Sequence, residues 1–145
     1  MIAVIIPANN EEAYISVCLE ALVKQKTNTR MIVIVSANAC KDDTIGITSK
    51  YTDQFRKLGH VLHYIDRSLP GKLGALNAAE DWIDANNYAN IPRIYLDADV
   101  ICTPMLVEQI SHALDCRSPR YATGTLEISR AKSTITQLYA RFWAQ

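Results

Sequence analysis

Four clusters of polar residues stand out in the sequence because each one directly follows a short apolar run. The clusters are Pro7–Glu11, Ser36–Asp43, Asp66–Lys72 and Asp97–Asp99. They contain carboxylates, side-chain amides and a lysine, which are the groups that bind a charged ligand through hydrogen bonds. The sequence therefore predicts one ligand site that is assembled from four separate segments.

Asp97 and Asp99 are candidate ligands of a divalent cation. Residues two apart on an extended segment point to the same side, so both carboxylates can address one ligand unless the chain bends at Ala98. Mg²⁺ or Mn²⁺ suits such a pair, since these ions take one or two protein carboxylates together with substrate phosphate oxygens. The alternative is a solvated turn with two aspartates. The position directly after a buried strand favours the cation.

Gly71 and Lys72 combine a flexible joint and a positive charge at the predicted start of a helix, an arrangement suited to an anion. A lysine in a solvent-facing loop is the alternative. No Ser or Thr follows Lys72, and the spaced glycines of a P-loop are missing. The first strand–helix turn also lacks Gly-x-Gly-x-x-Gly, which argues against a nicotinamide site. The position at the end of a strand still favours a nucleotide.

The apolar runs predict the elements that position these clusters. The predicted strands are Ile2–Ile6, Met31–Val35, Val61–Ile65, Ile94–Leu96 and Tyr121–Ile128. Helical patterns separate them, so the order is β-α repeated five times. This alternation predicts an α/β fold with a mainly parallel twisted sheet and helices on both faces. Parallel sheets bind ligands beyond the carboxyl ends of their strands, which is where the polar clusters fall.

The predicted helices begin at recognisable signals. Asn9 and Glu12 have the spacing of a capping box before the first helix. The second helix is predicted to begin near Asp42 and to carry one apolar stripe, and a later helix to begin with Thr103 as N-cap and Pro104 at the first position. The stripe of the second helix is Ile47, Tyr51, Phe55 and Leu58, and that of the last helix is Ile135, Leu138, Tyr139 and Phe142.

Composition excludes several classes of protein. The 145 residues fit one domain over 1–145, and Lys+Arg and Asp+Glu both number 15, so no basic excess favours nucleic acid. Four scattered cysteines without CxxC spacing indicate reduced thiols in a cytoplasmic protein. The run Ile2–Ile6 is too short for a transmembrane segment, which takes about 20 residues. The last helix has no terminating residue before Gln145, which indicates the front part of a longer protein.

The polar clusters together resemble the motifs of family-2 glycosyltransferases of the GT-A fold. The matching segments are Ile5–Glu12, Ser36–Thr44, Gly71–Asn77 and Leu96–Val100. Each segment is a weak signal alone, but the four in this order are jointly specific. The resemblance covers about residues 2–128. It implies an inverting enzyme that transfers a sugar from a nucleotide-diphosphate donor to an acceptor hydroxyl, either on a saccharide or on a lipid-linked molecule.

The resemblance also implies roles for individual residues around a bound donor. Asn38 stands where the family has an aspartate that hydrogen-bonds the base, and Asp42 shapes the same loop. Lys72 and Asn77 are expected near the base and the phosphates. Asp97 is expected on the ribose side, Ala98 beside it, and Asp99 at the metal and diphosphate. The nucleoside pocket is expected to be lined by Pro7, Ala8, Asn9 and Glu11.

Three departures from the family pattern are visible. Asn9 replaces an aromatic residue that often stacks on the base, and Asn38 replaces the aspartate and removes its charge. The family's catalytic aspartate lies beyond the strand near Gly124, and Glu127 is not assigned its role. The catalytic base is therefore unknown, and we expect this chain to bind donor but to transfer the sugar poorly.

Two other functions remain open. A nucleotide-sugar-binding module without turnover would have the same motifs. A sugar nucleotidyltransferase would have a loop rich in glycine and arginine after the first strand, which Pro7–Glu12 lacks. Basic residues near the C-terminus suggest peripheral contact with the inner face of a membrane as an alternative to a solvated surface, and a homo-oligomer is also open. The basic residues are Arg117, Arg120, Arg130 and Lys132.

Overall fold

The computed structural model describes residues 1–115, and within them strands and helices alternate as an α/β fold. The strands are β1 (Ile2–Ala8), β2 (Met31–Asn38), β3 (Val61–Arg67) and β4 (Arg93–Tyr95). The helices are α1 (Ile15–Val23), α2 (Thr44–Ser49), α3 (Thr52–Lys57), α4 (Lys72–Ala85) and α5 (Leu106–Asp115). The predicted strand Tyr121–Ile128, the last helix and the basic residues near the C-terminus lie outside the described residues.

The strands form one parallel sheet in the order β3-β2-β1-β4. β1 pairs with β2 from Ile2 opposite Met31 to Ala8 opposite Ala37. The strand order reverses at β1, because β2 and β3 follow on one side of it whereas β4 pairs on the other. The prediction of a parallel sheet is confirmed for these strands, and the reversal marks the position at which such sheets usually bind a ligand.

Apolar side chains of the sheet pack on helices on both faces. On one face, alternate residues of β1 such as Val4 and Ile6 contact α1 together with Phe55 and Val107. On the other face, Ile5 and its neighbours contact α4. Residues of β1 and β2 are buried throughout, which explains why these strands are apolar runs without alternation. The predicted helices on both faces are confirmed.

The predicted capping box before α1 is wrong. The helix begins at Ile15, Tyr14 precedes it, and no side chain caps its first turn. The Asn9 side chain instead donates to the carbonyl of Asn38 (2.5 Å), and the Glu12 carboxylate accepts from the backbone of Asp43 (3.0 Å). Both residues make contacts with the end of β2 and its loop, which local spacing does not reveal.

The second predicted helix is two helices with a break at Lys50 and Tyr51. The hydroxyl of Thr48 donates to the carbonyl of Thr44 (2.8 Å), and that of Ser49 donates to the carbonyl of Gly46 (2.9 Å). Hydroxyls that bond to helix carbonyls weaken the regular helix. The backbone amides of Lys50 and Tyr51 accordingly bond three residues back and not four.

The start of α5 lies later than predicted. The residues Pro104 and Met105 form a turn, and the helix begins at Leu106, whose amide donates to the Thr103 carbonyl (3.1 Å). The Gln25 side chain accepts a hydrogen bond from the amide of Val107 (3.0 Å) and so caps the helix from a distant segment. Within residues 1–115, none of the helices has the length and apolar character needed to cross a bilayer.

Candidate functional site

A cavity of about 420 Å³ opens at the carboxyl edge of the sheet, beside the reversal of strand order at β1. All four strand ends contribute to it. Its lining residues are Pro7, Asn9, Glu11, Asn38, Pro70, Gly71, Lys72, Asp97, Ala98 and Asp99. The four polar clusters of the sequence therefore meet at one place, as the parallel sheet predicts.

Another cavity, of about 480 Å³, lies between α1 and the two helices that follow β2. Its charged groups already have partners, because Lys24 pairs with Glu20 (3.3 Å) and Lys50 with Asp43 (3.8 Å). It also lies away from the edge where the strand ends meet. The cavity at the strand ends is therefore the candidate functional site.

Negative charge accumulates in the site. Burial raises the pKa of the Glu11 carboxyl, and the charges of three nearby aspartates, chiefly Asp99, raise it further. The carboxylate of Asp97 accepts a hydrogen bond from the Lys72 ammonium group at 2.5 Å. Asp99 has no such partner among residues 1–115. The site thus has carboxylate charge that its own lysine neutralises only in part.

The chain bends at Ala98, which the sequence left open. Ala98 is buried, and the amide of Val100 donates to the carbonyl of Asp97 (3.1 Å) to close a turn. Asp97 and Asp99 are exposed on either side of this buried residue, and both still line the cavity. The turn therefore keeps both carboxylates available to one ligand although the strand has ended.

The amide side chain of Asn38 lies at the back of the site, where it is 4% exposed. Its nitrogen donates to the carbonyl of Ala8 (2.8 Å), and its oxygen accepts from the amide of Gly71 (3.0 Å). The residue thus connects the ends of β1 and β2 with the start of α4. Both of these contacts are to backbone atoms.

A second connection holds the segment that carries Glu11. The buried hydroxyl of Thr44 accepts from the Glu11 amide (2.9 Å) and donates to the Asp42 carboxylate (2.6 Å). Burial alone would raise the pKa of Asp42, but hydrogen bonds from Thr44 and from backbone amides outweigh it and lower that pKa. Asp42 is therefore a charged group that stabilises the loop.

The loops after β1 and β2 each contain a residue in the left-handed backbone conformation, and the two loops contact each other. Asn10 (φ 57°) and Ala39 (φ 52°) have positive φ angles, and the Asn10 side chain accepts from the amide of Lys41 (2.7 Å). The thiol of Cys40 contacts the carbonyl of Ala8 (3.6 Å) in the same place. These contacts fix the wall of the site that Asn9 and Glu11 line.

A sequence profile of glycosyl transferase family 2 matches residues 3–142, which is nearly the whole chain. The chain belongs to glycosyl transferase family 2. The resemblance of its four polar segments to this family is thereby confirmed. No curated protein matches the chain.

Solved structures of TarS from S. aureus share the fold of this family-2 chain. TarS 1-349 is 22% identical, with a TM-score of 0.65, and its complexes with UDP and with UDP-GlcNAc are 23% identical, with TM-scores of 0.64 and 0.63. Each match covers 79% of this chain, but only 31–32% of the TarS chain. The α/β fold of the chain is thus of the GT-A type, and the chain spans about a third of TarS 1-349.

The structure gathers eight of the predicted site residues and leaves three outside the cavity. The eight are Pro7, Asn9, Glu11, Asn38, Lys72, Asp97, Ala98 and Asp99. Ala8 is buried in β1, Asp42 holds the Thr44 turn, and Asn77 is exposed on α4 and is not among the lining residues. The lining also includes Pro70 and Gly71, which the sequence placed in the polar cluster Asp66–Lys72 without giving either a place around the donor.

The surroundings of Asp99 fit a role in holding a divalent cation. Its carboxylate lines the cavity, and no other residue of the described range pairs with it. No group of three or more His, Cys, Asp or Glu side chains is arranged to hold a metal within residues 1–115. Further ligands would have to come from a bound substrate, as phosphate oxygens do for Mg²⁺. A carboxylate site that is completed by a phosphorylated ligand is compatible with this geometry.

Proposed function

We propose that this chain is the donor-binding part of an inverting glycosyltransferase, which binds a nucleotide-diphosphate sugar with Mg²⁺ or Mn²⁺ and transfers the sugar to an acceptor hydroxyl. The observation that carries the proposal is the convergence of all four strand ends on one cavity with three carboxylates and a lysine. The chain covers about a third of TarS 1-349, so the acceptor side of such an enzyme would lie outside the described residues.

Three of the charged groups in the cavity have a role in this proposal. Lys72 begins α4, so its ammonium group and the positive end of the helix suit the diphosphate. Asp97 suits the ribose hydroxyls once donor binding releases it from Lys72. Asp99 would hold the divalent cation, which as a Lewis acid supplies stabilisation of the negative charge on the departing diphosphate.

A uridine diphosphate sugar is the first donor to test. TarS, which shares the fold, has been crystallised with UDP and with UDP-GlcNAc. The family-2 membership of this chain supports the same class of donor.

A nucleotide-sugar-binding module without turnover is the alternative function. The chain matches only about a third of TarS 1-349, which supports donor binding without transfer by this chain on its own, because transfer also needs an acceptor site and a catalytic base. Vigorous sugar transfer or donor hydrolysis by the 145-residue chain would contradict this alternative. Donor binding without turnover would support it.

Calorimetric titration with UDP, GDP and dTDP, each with and without Mn²⁺, tests the proposal. We expect at least one diphosphate to bind more tightly with Mn²⁺, and Asp99→Ala to abolish the metal dependence. Asp53→Ala is the matched control, because it removes an exposed carboxylate on α3 that pairs with Arg56 (2.7 Å) and does not line the cavity. Absence of binding, or binding that Mn²⁺ does not change, would contradict the proposal.

We propose a saccharide or lipid-linked acceptor and a cytoplasmic protein, with peripheral contact at the inner face of a membrane as the alternative. Sedimentation with anionic and with neutral vesicles distinguishes the two locations. Binding to anionic vesicles alone would support the peripheral placement. Size-exclusion chromatography with light scattering would detect a homo-oligomer.

A further inference from the structure

Asn38 makes one connection between three segments of the chain. Its side-chain nitrogen donates to the carbonyl of Ala8 at the end of β1, and its oxygen accepts from the amide of Gly71 before α4. The backbone carbonyl of Asn38 also accepts from the side chain of Asn9 (2.5 Å). Asn38 is 4% exposed, and its hydrogen bond to Ala8 is buried, whereas those with Gly71 and Asn9 are part-buried.

The orientation of the amide is fixed by its partners. Rotating the amide of Asn38 by half a turn would place its oxygen against the Ala8 carbonyl and its nitrogen against the Gly71 amide. The first contact would then join two acceptors and the second two donors, so both hydrogen bonds would be lost, the one to Ala8 in a buried position. An aspartate at this position would lack the amide donor to the Ala8 carbonyl and leave it only the more distant thiol of Cys40 (3.6 Å) among the described contacts. The two contacts therefore match an asparagine and not the aspartate that is usual in the family.

The hydrogen bond between Asn38 and Gly71 lies directly before Lys72, the first residue of α4. Gly71 has a φ of 119°, in the region that favours glycine, and no side-chain hydrogen bond caps α4 at this point. Without a cap, the hydrogen bond to Asn38 is what holds this residue against the end of β2. Lys72 follows directly, and its ammonium group reaches Asp97 across the cavity. The position of this charge thus depends on Asn38.

We propose that Asn38 is a positioning residue, which holds the Gly71–Lys72 segment in place for the diphosphate and does not select the base. The inference rests on the proposed binding of a nucleotide-diphosphate donor. It predicts that loss of the Asn38 amide weakens the binding of every nucleoside diphosphate by the same factor, since the diphosphate group is common to all of them.

Calorimetric dissociation constants for UDP, GDP and dTDP in Asn38→Ala test this role. Each diphosphate that binds the wild-type chain is expected to bind about tenfold more weakly, with the ratios between diphosphates unchanged. A changed ratio would overturn the inference, because it would show that Asn38 reads the base. Failure of the wild-type chain to bind any diphosphate would overturn the proposed function and the role of Asn38 together.

A double-mutant cycle with Lys72→Met separates positioning from a general structural role. If Asn38 acts through Lys72, adding Asn38→Ala to the Lys72→Met variant should weaken diphosphate binding by less than about twofold. If Asn38→Ala weakened diphosphate binding by the same factor in the wild type and in Lys72→Met, the inference would be overturned. Ser36→Ala is the matched control, because Ser36 is a buried residue of the same strand whose hydroxyl has no hydrogen-bond partner in the described structure. We expect it to bind as the wild type does.

Asn38→Asp keeps the test decisive if Asn38→Ala does not fold. The carboxylate keeps an acceptor for the Gly71 amide, so hydrogen exchange at that amide should stay as slow as in the wild type. The added negative charge of Asn38→Asp repels the diphosphate group that UDP, GDP and dTDP share. The ratios between their dissociation constants should therefore again stay constant. Fast exchange of the Gly71 amide in the wild-type chain, or a changed ratio in Asn38→Asp, would overturn the inference.

Discussion

The hydroxyl of Thr44 shows how a single buried residue holds the wall of the site. It accepts from the Glu11 amide (2.9 Å) and donates to the Asp42 carboxylate (2.6 Å), and the residue is fully buried. The two contacts join the loop after β1 to the start of α2. The location of Glu11 in the cavity therefore depends on a side chain that does not line it.

Thr44→Val is expected to destabilise the chain by about 1–3 kcal/mol, because the Glu11 amide loses its acceptor while the volume of the side chain is kept. Thr44→Ser retains the hydroxyl and is the control, with a smaller loss. Urea unfolding followed by circular dichroism measures both. Equal stability of the two variants would show that the hydroxyl does not hold the loop.

His60 makes stability depend on pH. Burial, and after it the charge of Arg30, lowers the pKa of His60, whose Nδ1 atom accepts from the Met31 amide (3.3 Å). The unfolded chain then binds the proton more readily than the folded one. Stability is therefore fully present above the unfolded pKa of about 6.5 and is lost as the pH falls below it.

We expect the urea midpoint to fall between pH 7.5 and pH 5.5, and His60→Gln to reduce that fall, because glutamine does not take up a proton. The fall should not vanish in this variant, since burial also lowers the pKa of His63. An unchanged pH dependence in His60→Gln would contradict the prediction.

At the scale of helices and strands, Gln25 joins the end of α1 to the start of α5. Its side-chain nitrogen donates to the carbonyls of Thr103 (2.7 Å) and Ala21 (3.1 Å), and its oxygen accepts from the amide of Val107 (3.0 Å). The residue lies about eighty positions from α5 in sequence. A distant side chain thus does what an N-cap residue normally does.

Gln25→Leu is expected to cost about 1–2 kcal/mol of stability, comparable to the loss of an N-cap residue. Gln25→Glu keeps the acceptor for Val107 but loses both donors, so its stability should lie between those of the wild type and Gln25→Leu. Thermal unfolding of the three proteins gives the order. A Gln25→Leu variant as stable as the wild type would contradict the cap.

Periodicity predicted the presence of the helices better than their ends. The stripe that includes Ile47 and Phe55 correctly predicted helical structure between β2 and β3. It did not predict the break, because that depends on the hydroxyls of Thr48 and Ser49 bonding to helix carbonyls. Asn9 and Glu12 likewise matched a local motif but bond to residues about thirty positions away. Contacts over such separations leave no local pattern in a sequence.

On the scale of the whole described structure, the sheet stands between two apolar layers. Phe55 is among the largest fully buried side chains, and it joins α3 to the layer that contains α1 and Val107. The sequence predicted the parallel sheet because buried strands are continuous apolar runs. It predicted the gathering of polar residues because each cluster followed a strand end. It did not predict the strand order, which placed the cavity beside β1.

Phe55→Ala is expected to lower the free energy of unfolding by about 3–5 kcal/mol, because it removes a buried aromatic side chain and leaves a cavity. Leu58→Ala is the matched control, because Leu58 is an exposed apolar residue at the end of the same helix. Urea unfolding should separate the two variants clearly. A similar loss for both would show that the packing of α3 on the sheet contributes little.

The lining of the cavity comes from segments that are far apart along the chain, from Pro7 to Asp99. No partial unfolding that detaches one strand can leave this lining intact. A compound that binds in the cavity therefore stabilises only the completely assembled sheet. At a concentration a hundredfold above its dissociation constant, it raises the free energy of unfolding by about 2.7 kcal/mol. A screen for shifts in melting temperature can consequently identify ligands of this chain without any assay of its chemistry.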